Sequence, residues 1–316
     1  MKFNIKKISG DASFREFYRL KKGKITSIIV LANRDKFKNL ITYCLVNKIL
    51  KKGGLKTPKL IKNNYEKNMI EISDLGDKSF HEFISKKRNK FRYYKSLIKL
   101  IIKIQKIKLK KVYYFEKYRV SFKNYSLINL HKESDLFFDW FLRYYSKNSK
   151  YKEIKKIIRQ ELNKIYKKLF FKNKILVHRD FHASNVMVKG KSFYLIDSQD
   201  AIVGNPLYDV ASLIDDVRIK LPKNLQDKML DFYYKNSKLK RENFEKLKND
   251  FDILSVQRNL KILGIFVRLN IRDNKSYYIK YLPYTWRLIE KRLQNPVFKK
   301  LNYLLKKYVK VKNLKN

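Results

Sequence analysis

Residues 176–209 read LVHRDFHASNVMVKGKSFYLIDSQDAIVGNPLYD, and the order of elements in this stretch decides the fold. Ile175-Leu176-Val177 is a short apolar run of the kind that forms a buried strand. His178-Arg179-Asp180 follows in a loop, and Asn185 lies five positions after Asp180. Val186-Met187-Val188 and Phe193-Tyr194-Leu195-Ile196 are two further strand-like runs, with Lys189-Gly190-Lys191 as a hairpin turn between them. Asp197 closes the second run. H-x-D alone is common. Strand, HRD, Asn five positions on, hairpin and closing Asp in that order is rare.

Phosphoryl transfer needs such an arrangement. It asks little covalent help of a protein: a carboxylate to orient the acceptor hydroxyl, and oxygen ligands for a metal ion. Mg²⁺ takes hard oxygen donors and keeps several waters, so one Asn and one Asp suffice. The D-x-x-x-x-N spacing puts Asp180 and Asn185 on one loop, and the hairpin carries Asp197 back beside them. This assigns Asp180 as the base, with Asn185 and Asp197 as the metal ligands.

HRDFHASNVMV followed by LIDSQDAIVGNPLYDVASL resembles the aminoglycoside phosphotransferase-like kinases, small-molecule relatives of the protein kinases. The resemblance implies the same three roles for Asp180, Asn185 and Asp197. It implies that Asp209, which follows Gly204-Asn205-Pro206, braces the loop and caps the next helix. Many relatives have Asp where this chain has Asn205, a position expected to be structural.

GDASFREFYR (10–19), ISDLGDKSF (72–80), DLFFDWFL (135–142) and QRNLKILGIFVRLNIRDNKSYYIKYLP (257–283) sharpen the resemblance. Together they look like the bacterial anomeric kinases of N-acetylmuramate and N-acetylglucosamine. The implied reaction moves the ATP γ-phosphate to the sugar's C1 hydroxyl. A kinase of aminoglycoside, choline, homoserine or fructosamine is the alternative. The scarcity of acidic residues tells against a cationic acceptor.

Composition bounds the rest. The chain has 316 residues, 44% hydrophobic and 15% aromatic, enough for one sizeable core. Its single cysteine, Cys44, allows no internal disulfide and fits a reducing compartment. No secretory h-region or bilayer-length apolar run is visible, so a cytoplasmic protein is expected. The net charge is +48. Such charge permits nucleic-acid or anionic-membrane contact. The lysines are spread over nearly every segment, however, which favours a solvated surface, and the intact Asp180, Asn185 and Asp197 argue against a non-catalytic basic binding protein.

Residues 1–75 predict a small β-rich nucleotide-binding lobe with one helix. The turn Gly10-Asp11-Ala12-Ser13, followed by Arg15, has small residues that let backbone N–H groups approach a phosphate. A helix is expected over 35–52, stopped by Gly53-Gly54. Met69-Ile70-Glu71-Ile72 leads to Ser73-Asp74, where a kinase-like hinge would face adenine; Glu71 and Asp74 are the candidates there. Protein kinases carry a lysine on the third strand that pairs the nucleotide phosphates. Ser27–Ala32 has none, so the phosphate contacts must come from the Gly10–Ser13 backbone, from Arg15 or Arg19, or from a nearby lysine.

Residues 76–316 predict the helical catalytic and acceptor-binding lobe. Phe91, Tyr94, Ile98, Ile101, Ile102 and Gln105 follow one helical face. Residues 108–131 read as irregular. Helices are expected over 135–145, with core aromatics, over 151–171, and from 209 to about 218. Four more follow over 225–234, 244–254, 256–269 and 284–293, with a frayed tail after Asn302. On the third of these four, Gln257, Arg258 and Arg268 read as facing solvent or capping neighbours rather than contacting sugar or phosphate. The fold class is α+β, two-lobed and protein-kinase-like, with ATP and Mg²⁺ as cofactors and a small sugar as partner.

Overall fold

The structure, a computed structural model, describes residues 3–8, 15–32 and 38–309. The chain packs as two compact units, Met1–Lys123 with Ile175–Val203 and Asn124–Lys174 with Gly204–Asn316.

The first unit is built on a five-stranded antiparallel sheet in the order β1-β2-β3-β5-β4. Its strands are β1 (Phe3–Ile8), β2 (Glu16–Lys22), β3 (Ile25–Leu31), β4 (Leu60–Asn64) and β5 (Met69–Ser73). Phe17 faces Val30 and Val30 faces Ile70; one step along, Arg19 faces Ile28 and Ile28 faces Ile72. Directly opposed residues share a face, so these side chains line one surface. The expected β2–β3 hairpin turns at Gly23, at φ +58°.

Helix α1 (Lys38–Lys52) crosses between β3 and β4. It stops where expected: Gly53 N–H bonds the Ile49 carbonyl, and Gly54 takes the left-handed conformation at φ +76°. Helix α2 (Phe80–Ser85) opens with a capping box of Ser79 and Glu82. Helix α3 (Lys90–Gln105) buries Tyr94, Leu97, Ile98, Ile101, Ile102 and Ile104; Phe91 and Gln105, placed on that face by the spacing, stay half-exposed.

The segment read as irregular contains a small hairpin, β6 (Tyr113–Phe115) with β7 (Tyr118–Val120). Its turn uses Glu116 at φ +52°, so no glycine marks it. Strand β8 (Ile175–Val177) leads into the loop of Asp180 and Asn185. Strands β9 (Val186–Lys189) and β10 (Ser192–Leu195) form the expected hairpin, turning at Gly190, at φ +60°. β11 (Ile202–Gly204) pairs with β8 and carries the chain out of the unit. Phe80 packs edge-on against Tyr94 and Phe193, with ring centroids 5.4 and 5.5 Å away. These contacts tie the hairpin to α2 and α3.

The second unit is helical. α4 (Leu127–Leu136) runs on into a π-helical segment, Phe137–Tyr145. α5 (Tyr151–Tyr166), α6 (Leu207–Ile214), α7 (Lys223–Asn236), α8 (Phe244–Asp273), α9 (Leu282–Arg292) and α10 (Lys299–Tyr308) follow. α8 packs against α4, α6, α9 and the π-helical segment. It is one helix of 30 residues, where the sequence suggested a break at Ser255. Ser255 and Gln257 there are buried and paired: Ser255 and Arg292 both bond Asp215. Gln257 donates to Glu133, which also receives Tyr125, Tyr208 and Lys261.

Phe137, Phe138 and Phe141 are fully buried, in agreement with the core reading. The expected fraying after Asn302 is overturned as far as Tyr308, because Leu301, Leu304 and Leu305 are buried along α10. Among the described residues no helix is long and apolar enough to cross a membrane.

Candidate active site

Within the first unit, a cavity of about 410 Å³ lies against the Ile28–Ile72 face of the sheet. Ile28, Val30 and Ile72 supply its apolar wall, and Asp74 to Asp77 its edge. Ser184, Asn185, Ile196 and Asp197 line it from the catalytic loop and hairpin, and Arg15 and Arg19 from the sheet. An apolar slot with a few convergent polar groups is the usual form of a ligand site.

The catalytic loop is held by its own backbone. His182 N–H and Asn185 Nδ2 both donate to the Asp180 carbonyl, at 3.0 and 3.1 Å. Asn185 N–H bonds the His182 carbonyl at 2.9 Å, and Ile196 N–H bonds the Asn185 carbonyl at 3.1 Å. The last bond ties the loop to the residue before Asp197. Arg179 just before Asp180, and Asp197 itself, adopt positive φ (75° and 64°). Non-glycine residues occupy that region at a cost of order 1–3 kcal/mol.

The donor set fits a hard cation. Asn185 uses its amide nitrogen on the Asp180 carbonyl and, at 3.3 Å, on His182 Nε2, which leaves its amide oxygen as the outward acceptor. Asp197 Oδ1 receives Arg15 Nη2 and, at 3.1 Å, Gln199 Nε2; Oδ2 is left over. Two oxygens, completed by phosphate and water, are what Mg²⁺ takes. No cluster of three or more His, Cys, Asp or Glu suited to a metal occurs among the described residues, so phosphate oxygens would have to complete the shell. The Asp180 carboxylate takes no hydrogen bond or ion pair from the described residues, and the side chain is half-exposed.

The remaining predicted residues separate into three groups. Gly10, Asp11, Ala12 and Ser13 lie outside the described residues. Arg15 and Asp74 line the cavity. Asp74 is buried, which pushes its carboxyl up, but the Gly76 N–H at 2.8 Å and Arg19 outweigh that and hold its pKa below the usual value. Its carboxylate therefore braces the exit of β5.

Glu71 is placed elsewhere. It sits opposite Ile29 on the other face of the sheet and receives the Ser27 hydroxyl at 2.6 Å. Asp209 is buried in the first turn of α6, where a carboxylate suits the helix N-terminus. The N-cap position of α6 is Pro206, and Asn205 Oδ1 receives Leu207 N–H at 2.9 Å. Asn205 Nδ2 also bonds the Phe171 carbonyl and Asp250.

Three contributors went unseen in the sequence. Gln199 bridges Arg15 and Asp197, accepting from the first at 2.9 Å and donating to the second. Ser198 bonds Asn47 of α1 at 2.9 Å, pinning the turn that carries Asp197. Lys189 donates to the Asp74 carbonyl at 2.9 Å, joining the hairpin to the edge of the cavity. Asn47, a polar residue amid the apolar run of α1, was the one available signal.

The sequence matches the phosphotransferase enzyme family over residues 4–242. The chain belongs to that family, and it is an enzyme of the phosphotransferase class. It is 25% identical over 286 residues to the N-acetylmuramate/N-acetylglucosamine kinase of Pseudomonas aeruginosa, covering 89% of this chain and 81% of that one. The kinase of the same description from Neisseria meningitidis serogroup B is 24% identical over 290 residues, covering 89% and 83%.

Among solved structures, the choline kinase LicA of Streptococcus pneumoniae superposes with a TM-score of 0.63 at 14% identity, covering 91% of this chain and 93% of that one. An ADP-bound aminoglycoside phosphotransferase gives 0.62 at 14% identity, covering 93% and 94%. The fold is thus protein-kinase-like, an antiparallel N-terminal sheet followed by a mainly helical remainder.

Proposed function

We propose that the protein is an ATP-dependent sugar kinase that phosphorylates the anomeric C1 hydroxyl of N-acetylmuramate, N-acetylglucosamine or both. One observation carries the reading. Asp180, Asn185 and Asp197 stand on a single loop–hairpin scaffold, with Asn185 and Asp197 lining the same cavity as the sheet face. The named relatives support the sugar acceptor, matching nearly the whole chain.

In this reading residues 1–75 form the nucleotide-binding lobe and residues 76–316 supply catalysis and the acceptor. Asn185 Oδ1 and Asp197 would hold Mg²⁺, which when bound neutralises phosphate charge. Adenine would pack in the apolar slot of Ile28, Val30 and Ile72. Asp180 orients the sugar hydroxyl for in-line attack and accepts its proton as the bond to the γ-phosphorus forms and the bond from that phosphorus to the β–γ bridging oxygen breaks, ADP leaving. The rate gain comes from positioning and electrostatics.

The test is phosphate transfer from Mg-ATP to each amino sugar, to choline and to aminoglycosides, beside Asp180→Asn. The loop is organised by the Asp180 carbonyl, which the substitution keeps. The variant should therefore bind nucleotide as the wild type does and lose roughly 10²–10⁴ in kcat. Transfer to choline or an aminoglycoside and to neither sugar would overturn the acceptor. An Asp180→Asn variant with full activity would overturn the mechanism.

A further inference from the structure

We infer that Arg15 takes the place of the absent third-strand lysine and does so by exchange. Its guanidinium holds the metal-ligand carboxylate Asp197; nucleotide phosphates draw it away and release that carboxylate to the cation. The inference rests on the nucleotide-site reading above.

β3 offers the cavity only Ile28 and Val30, so the strand itself presents no cation there. Among the described residues, the cations lining the cavity are Arg15 and Arg19. Arg19 is already committed. Its Nε lies 2.7 Å from Asp74 Oδ2 and its Nη2 lies 2.7 Å from Asp77 Oδ1. Bonding to Asp77 first and Asp74 second holds its pKa above the ordinary arginine value. Two carboxylates neutralise it, and a phosphate would have to displace both.

Arg15 differs in what it is paired with. Its side chain is 5% exposed, and its partner Asp197 is 32% exposed. Nη2 donates to Asp197 Oδ1, Nη1 donates to Gln199 Oε1 at 2.9 Å, and Gln199 Nε2 returns a bond to the same Asp197 oxygen at 3.1 Å. The three side chains form a closed ring around a carboxylate that phosphoryl transfer needs as a metal ligand. A guanidinium fork matches phosphate as well as carboxylate.

Charge decides when the ring opens. A divalent cation arriving alone would meet a guanidinium already on Asp197, and the two positive groups repel. Phosphates arriving with the cation satisfy both: they accept from Arg15 and complete the metal's oxygen shell. Cation and nucleotide binding are then positively coupled, and the coupling is reciprocal. Gln199, left on Asp197, would keep the carboxylate aimed.

The experiment measures binding without turnover. Calorimetry gives the Kd of Mg-ADP and of adenosine, and electron paramagnetic resonance gives the Kd of Mn²⁺ without nucleotide. The proteins are wild type, Arg15→Gln and Arg15→Lys, each checked for its melting transition. Arg15→Gln should weaken Mg-ADP by roughly tenfold to a hundredfold, the value of a charge-assisted bond, and leave adenosine unchanged. The same variant should bind Mn²⁺ alone more tightly than the wild type, because Asp197 is free.

Arg15→Lys keeps the charge without the fork and should fall between the two for Mg-ADP. Unchanged Mg-ADP affinity in Arg15→Gln, or Mn²⁺ affinity that fails to rise, overturns the inference. A folded wild type that binds no Mg-ADP overturns instead the nucleotide-site reading beneath it.

Discussion

Gly264 sits in α8 where that helix meets the end of α4. A Cβ built on it would lie 2.2 Å from the Leu136 carbonyl oxygen and 2.3 Å from its carbon. Both atoms are backbone, so no side chain can rotate away. Gly264→Ala has two opposed effects. Alanine in a helix interior gains about 1 kcal/mol over glycine. The overlap forces α8 and Leu136 apart by about 1 Å, and overpacking of that kind costs typically 1–3 kcal/mol, occasionally more.

Here the displaced element is the junction at which α4 becomes π-helical, and α8 is the helix that the rest of the unit packs on, so the upper end applies. The net loss expected is about 2 kcal/mol. At about 2.1 cal/mol/K per residue, a chain of 316 residues then melts roughly 3 °C lower. Differential scanning calorimetry reads the shift, with urea unfolding as a second measure. A variant that melts higher than wild type, by the helix-propensity gain alone, would show that α8 and Leu136 do not approach this closely.

Two further substitutions test the polar interior. Asp74 has its pKa lowered in the fold, so it adds stability above the unfolded value of about 3.9 and that stability is lost as pH falls through the lower folded value. Asp74→Asn should lower stability at neutral pH and flatten the acid limb below about pH 4; an unaltered acid limb in urea titrations refutes the linkage. Arg258 is 4% exposed, with no carboxylate of the described residues within 4.0 Å and Nη1 unbonded. A buried unpaired charge costs stability, and apolar replacement can return about 1–4 kcal/mol. Arg258→Met should melt above wild type, and a lower melting temperature means that the guanidinium has a stabilising role.

The catalytic loop and the hairpin were legible because each step had a local cause: an apolar strand, a fixed Asp–Asn spacing, a glycine at the turn. The sheet's hairpins were legible for the same reason. The face taken by Glu71 was legible too. The alternation Met69-Ile70-Glu71-Ile72 already puts Glu71 opposite its apolar neighbours, and the structure follows that pattern: Ile72 lines the cavity and Glu71 does not.

The break expected at Ser255 falls inside one continuous α8 that buries Asp250, Asp252 and Ser255. Periodicity cannot tell a buried, bonded polar residue from one facing water. Asp250 receives the N–H groups of Phe170 and Phe171 at 2.8 and 2.9 Å, partners that lie some eighty residues away. The ring of Arg15, Asp197 and Gln199 was out of reach on the same ground, since Arg15 joins the other two across more than 180 positions.

The charge pattern acquires a meaning only in three dimensions. The chain carries 76 basic and 28 acidic side chains. No lysine is buried among the described residues, whereas seven carboxylates are: Asp74, Glu133, Asp209, Asp215, Asp216, Asp250 and Asp252. Acidic side chains are ordinarily among the residues most often exposed, so a chain that has few and buries a quarter of them is using them for internal work. Asp215 holds Arg292 at 2.8 Å through two nitrogens, Glu133 holds Lys261 at 3.1 Å, and Asp250 holds two backbone N–H groups. The net charge of +48 is therefore a property of the surface, where a lysine can be added or lost at little cost. The buried carboxylates are the constrained set, with Asp74, Glu133, Asp215 and Asp250 tied to named partners. A substitution series should find the chain far more sensitive at its scarce acids than at its abundant lysines.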